Sequence, residues 1–180
     1  MGPTVISGLP AHILLVHVVL AIVPVAAVLV VIAAIWRPAR RWLNWLPLLA
    51  ALGALITVPI TTHAGHWLER HLRGDVTPAI QHHVNLGNQM LPWVLALFVA
   101  ALLVLAVSWA ESGRSLRIGH PSAAGATTPA SNPGAALAGR RTVRIVVAVI
   151  AIVAAVGAVQ QVYRTGQAGS RAVWSGTFHN

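Results

Sequence analysis

Residues 60–83 read ITTHAGHWLERHLRGDVTPAIQHH and hold five of the nine histidines: His63, His66, His71, His82 and His83. Strongly apolar segments flank this stretch on both sides, so it reads as a short connection at a membrane surface. Gly74, Asp75 and Pro78 supply the break between two helices. The rest of the chain then falls into apolar spans arranged around it.

Composition supports that frame. Of 180 residues, 57% are hydrophobic and 8% charged, which is too apolar for an ordinary soluble domain. The expected fold is all-α, an integral membrane up-down four-helix bundle. The spans are residues 11–35, 47–66, 82–109 and 141–163, each able to cross a hydrocarbon core of about 30 Å. Pro24, Pro59 and Pro92 lie inside the first three, where neighbouring helices can satisfy the freed carbonyls. Residues 111–140 are rich in Gly, Ala, Ser, Thr and Pro and read as a flexible loop. Residues 164–180 read as a surface tail.

All twelve basic residues are Arg, against three acidic ones. They sit at the ends of the apolar segments, where orientation and membrane lipid explain them, so the chain is not read as a nucleic-acid binder. Eight arginines fall on the side of the first and third connections and four on the other. The positive-inside rule then places those connections in the cytoplasm and both termini outside. The first apolar run is too long for a signal peptide and has no basic residue before it. The expected location is the bacterial cytoplasmic membrane. Cysteine is absent, which excludes disulfides, thiolate-held clusters and c-type haem attachment.

In this topology eight histidines gather at the outer side and only His120 lies on the other. His12 and His17 are five residues apart, so at about 3.6 residues per turn they point in different directions. His17 is roughly 7 Å deeper along the helix, and a polar residue at depth usually faces the bundle interior and acts there. His12, His71, His82 and His179 read more simply as solvated interfacial residues. The first and third helices are diagonal in such a bundle, which sets His17 opposite His83. Two facing histidines suit a b-type haem, with His66 or His12 as substitute ligand. Gly87 gives a porphyrin room, and Asn85, Asn88 and Gln89 add polar side chains. A second arrangement is a non-haem Zn or Cu site built from His63, His66 and His83. A third is a structural or assembly subunit whose histidines only hydrogen-bond between helices.

The segment GLPAHILLVHVVLAIVPVAA at residues 8–27, with AGHWLE at 64–69, HVNLGNQMLPW at 83–93 and RTGQAGSRAVW at 164–174, resembles the bacterial membrane family named domain of unknown function 2231. The resemblance covers all four spans and skips the long loop. It implies a four-span inner-membrane protein laid out like a small b-type cytochrome, with a quinol or a Rieske-type or other redox protein as partner. His12, His17 and His83 match the family motif. The family commonly has an acidic residue where His66 stands, and an acidic residue or His where Gln167 stands.

Other classes find less support. There is no Gly-x-Ser-x-Gly, no His-Glu-x-x-His and no carboxylate pair in a helix, so a hydrolase is not expected. A transporter is not expected either, since no internal repeat is visible and no acidic residue lies within a span.

Overall fold

A computed structural model of the chain describes residues 5–6, 9–71, 77–118 and 133–174. Arg73, Asp75, His120, His179 and the middle of the expected loop lie outside the described residues. The elements are α1 Ala11–Ile35, α2 Arg37–Leu43, α3 Leu46–His71, α4 Pro78–Asn88, α5 Met90–Ile118 and α6 Pro133–Trp174. A two-residue antiparallel pair, Val5–Ile6 with Leu9–Pro10, precedes α1. The fold is an all-α bundle. Around it the order is α1, α3, α4 with α5, and α6, so α1 and α5 are diagonal. Four stretches are long and apolar enough to cross a membrane: Ala11–Ile35, Leu46–His71, Pro78–Glu111 and Leu137–Trp174.

Small residues let these helices approach. Ala26, Ala33, Ala51, Ala54, Ala151 and Ala158 are buried between them, around a centre of Val23, Val30, Val94 and Leu97. Close packing of this kind is what holds helices together where the surroundings are as apolar as the side chains. The opposite faces expose Val25, Val28, Val149, Val153 and Val156, a surface suited to hydrocarbon.

The three prolines behave differently. Pro24 and Pro59 sit inside continuous helices. The expected single helix over 82–109 is instead two, broken at Gln89. Pro92 has no N–H for the carbonyl of Asn88, four residues back, and its ring crowds that carbonyl. A side chain from another helix compensates nearby: buried Gln161 donates from Nε2 to the Leu86 carbonyl at 2.8 Å. α4 begins at Pro78, the earlier of the two starts that the sequence offers (Pro78 or His82), where proline suits a first turn and the Thr77 hydroxyl accepts from the Ile80 N–H at 3.3 Å.

The boundaries of the expected loop and tail also shift. α5 continues to Ile118 and α6 starts at Pro133, so residues 111–118 and 133–140 are helical. The segment 164–174, expected as a surface tail, is the last part of α6. Tertiary packing overrides its composition: its glycines receive side chains from α1 and α4.

The arginine-rich end is clamped by one residue. Buried Arg40 donates from Nε to the Ala33 carbonyl and from Nη2 to the Ala34 carbonyl, both at 2.8 Å. These carbonyls end α1 and have no partner within the helix. Glu111 on α5 stands 3.3 Å from Arg37 Nη2, 3.7 Å from Arg40 Nη1 and 3.9 Å from Arg144 Nη1. Burial pushes the Arg40 pKa down from its ordinary value, and the Glu111 carboxylate partly offsets this. Trp45 and Trp109 meet edge-to-face at the same end, as interfacial aromatics do.

Candidate functional site

The histidine end of the bundle contains a cavity of about 520 Å³ between α1, α3, α4 and α6. Cofactor and small-molecule pockets span roughly 300–1,000 Å³, so the size is that of a ligand site. A smaller cavity of about 70 Å³ reaches deeper, towards Val58, Met90 and Val162, and shares His12 and His83 with the larger one.

His12 and His83 are the centre of this site. Their ring centroids are 6.2 Å apart with planes at 75°. His12 donates from Nδ1 to the Thr61 carbonyl of α3 at 3.0 Å. His83 donates from Nδ1 to the Thr165 carbonyl of α6 at 2.9 Å. A carbonyl can only accept, so each ring carries its proton on Nδ1 and keeps the Nε2 lone pair. Fixing Nδ1–H on a carbonyl is the usual way a protein orients an imidazole ligand and sets its tautomer.

Two glycines make these dockings possible. A Cβ at Gly65 would stand 3.0 Å from the His12 ring, and one at Gly169 would stand 3.0 Å from the His83 ring. Gly87 and Gly166 also line both cavities but are not crowded: a Cβ there would meet its nearest neighbour at 3.9 Å and 3.7 Å. Packing within the protein therefore does not require glycine at those two places. Thr165 adds an unspent group: its hydroxyl is buried and without a hydrogen bond among the described residues, and Thr165 lines the smaller cavity.

The four histidines expected to hold a cofactor, His12, His17, His66 and His83, all line the larger cavity. The pairing differs from expectation: His83 faces His12, not His17. His17 is exposed and bonds back through Nδ1 to the Ile13 carbonyl at 2.7 Å, within its own helix. Its greater depth does not set it against His83, because its ring turns back onto its own helix. His12 was expected to be solvated; it is half-buried because α3 packs over it.

His66 lies on a flank, with Nε2 2.9 Å from Asn88 Oδ1 and Nδ1 3.4 Å from Glu69 Oε2. Asn88 and Glu69 line the cavity too. His63 is exposed and lines neither cavity. Among the described residues no three His, Asp or Glu side chains gather as a metal site, so the set His63, His66 and His83 is not brought together. His71 stacks on Trp67 and His82 is exposed, as expected of surface residues.

Sequence reasoning missed Thr61, Gly65, Thr165 and Gly169. A spacing of four between Thr and Gly in both α3 and α6 was the available signal. No family model, curated protein or solved structure matches the chain.

Proposed function

We propose that this chain is a b-type haem protein of the bacterial cytoplasmic membrane, with His12 and His83 as the two axial ligands. One observation carries the reading: two imidazoles on α1 and α4, each held through Nδ1 by a backbone carbonyl, lie at the cavity with ring centroids 6.2 Å apart. His12 and His83 would hold the metal through Nε2, since Nδ1 of each is used on a carbonyl. Two protein ligands suffice for haem because the macrocycle supplies the rest. The adjoining cavity, the uncrowded Gly87 and Gly166 and the orphan Thr165 hydroxyl are consistent with a bulky planar group.

Haem would supply one-electron redox chemistry at this site. The protein residues do the remainder. Thr61 and Thr165 fix the ligand tautomers, Gly65 and Gly169 let the rings seat, and the apolar walls keep water out. The reading agrees with the layout implied by the domain of unknown function 2231. It includes four membrane passes, both termini outside, and electron exchange with a quinol or a Rieske-type or other redox protein.

The same hydrogen bonds could serve assembly alone, and Zn or Cu could take the place of haem. An absorption spectrum of protein expressed with haem supply separates these. A Soret band and a pyridine haemochrome are expected. Colourless, metal-free protein would favour the structural role, and colourless protein with an equivalent of Zn or Cu would favour the non-haem metal.

A further inference from the structure

The expectation that the chain has no internal repeat is wrong. Residues 50–65, AALGALITVPITTHAG, and 154–169, AAVGAVQQVYRTGQAG, share the pattern Ala-Ala-x-Gly-Ala-x-x-x-Val-x-x-Thr-x-x-Ala-Gly at a constant offset of 104. At an offset of 71, α1 matches α4 and α5: His12 with His83, Leu15 with Leu86, Leu20 with Leu91 and Val23 with Val94. Ala and Val matches are cheap in apolar helices. The contacts are not.

The contacts that seat the two histidines have counterparts in the two halves. His12 bonds the Thr61 carbonyl and sits on Gly65; His83 bonds the Thr165 carbonyl and sits on Gly169. Ten residues further on, Ile22 covers Gly53 and Trp93 covers Gly157. These ten residues pair off under the same two offsets. The buried positions follow as well: Val23, Val30 and Ala33 map onto Val94, Ala101 and Val104, all buried. In α3, Ala51, Ala54 and Val58 map onto buried Ala155, Ala158 and Val162. The two helix pairs run in the same direction, so a pseudo-two-fold axis runs along the bundle. It passes between α1 and α5, where His12 and His83 meet.

The larger cavity obeys the same axis. Every α3 residue that lines it has its α6 counterpart lining it, and His12 and His17 on α1 correspond to His83 and Asn88 on α4. The chemistry of the two flanks is not the same. On one side His66, Glu69 and Asn88 form a hydrogen-bonded set. The equivalent positions on the other side are Ser170, Val173 and His17, whose Nδ1 is already used on Ile13.

We infer that the chain is a duplicated helix pair whose cavity holds one planar ligand astride the pseudo-two-fold axis, with its polar edge on the flank of His66, Asn88 and Glu69. The ligand class rests on the haem reading; the duplication does not. His12 and His83 are equivalent in role, and neither is dispensable. His66 and Asn88 position the ligand's polar edge, and Ser170, the counterpart of His66, does not.

The experiment uses the full-length protein in detergent, with haemin as probe and with ¹⁵N-histidine spectra of the haem-free protein. His12→Ala and His83→Ala each weaken haemin binding at least tenfold, by factors within about threefold of one another, in the range typical of lost ligand-shell contacts. His66→Leu weakens it about tenfold, and Ser170→Ala, which removes the hydroxyl without adding bulk to the cavity, weakens it less than about threefold. The haem-free spectra show His12 and His83 both protonated at Nδ1 alone, assigned with His12→Gln and His83→Gln. A dispensable His12 or His83 would overturn the two-fold site, and equal losses in His66→Leu and Ser170→Ala would overturn the placement of the polar edge on one flank. If the wild type binds no haemin, the haem reading fails and the spectra still decide: an Nε2–H tautomer at either residue contradicts equivalence, and matching Nδ1–H tautomers support it.

Discussion

At the scale of single residues, the site depends on two rings seated on two glycines. Gly65→Ala and Gly169→Ala each set a methyl 3.0 Å from an imidazole carbon, so the ring must give by a few tenths of an ångström, which strains its bond to the carbonyl. Each is expected to weaken haem binding by about 10–100-fold, as loss of an orienting partner does, while far-UV circular dichroism stays unchanged. Gly87→Ala is the contrasting change. Its methyl meets the Thr62 side chain only at ordinary contact distance, 3.9 Å. The haem-free protein should therefore keep its thermal unfolding midpoint while haem binding falls. A fall in the midpoint of the haem-free protein would show that Gly87 serves packing instead. The histidines themselves were legible in the sequence, because all seven that the structure describes lie at one end, where hydropathy puts them. Which two face each other was not. That depends on helix rotation, and depth along the helix favoured His17 over His12.

At the scale of elements, the break at Gln89 is stabilised from outside its own helix. Gln161→Leu removes the side-chain donor to the Leu86 carbonyl, which then keeps only the Gln89 N–H at 3.2 Å, at about 0.5–1.5 kcal/mol. Thermal unfolding in detergent should show that loss, and Gln161→Glu should not restore it, since a carboxylate cannot donate. Gly157→Ala is a second element-scale change: its methyl would overlap the Trp93 indole. Overpacking of this kind destabilises by about 1–3 kcal/mol, and Gly53→Ala against the end of Ile22 should lose less, because an aliphatic tip yields more easily than an indole. The spans were readable from hydropathy because the bilayer fixes their length. Their ends were not. Residues 164–174 look like a polar tail until α1 and α4 are placed against them.

At the scale of the whole molecule, the two ends do different work. The arginine end is a clamp in which Glu111 draws Arg37, Arg40 and Arg144 together. Glu111→Gln leaves buried Arg40 without its counter-charge and should lower stability by about 1–3 kcal/mol with haem binding intact, measured by unfolding and by the absorption spectrum. The histidine end is the site. The duplication explains why it lies between diagonal helices: two copies of one helix pair meet across an axis, and the same residue of each copy arrives there. The bundle was legible from composition and spacing. The repeat was present in the sequence as well, in the shared Thr-x-x-Ala-Gly of α3 and α6. It was hidden by an apolar background in which most matches carry no information.

The central claim is that His12 and His83, not His17, hold a haem. Absorption spectra of wild type, His12→Ala, His83→Ala and His17→Ala, each expressed with haem supply, test it directly. The account predicts a six-coordinate low-spin Soret band in wild type and in His17→Ala, and its loss or conversion in both other variants. A colourless wild type, or a band that survives His12→Ala and disappears in His17→Ala, would contradict it.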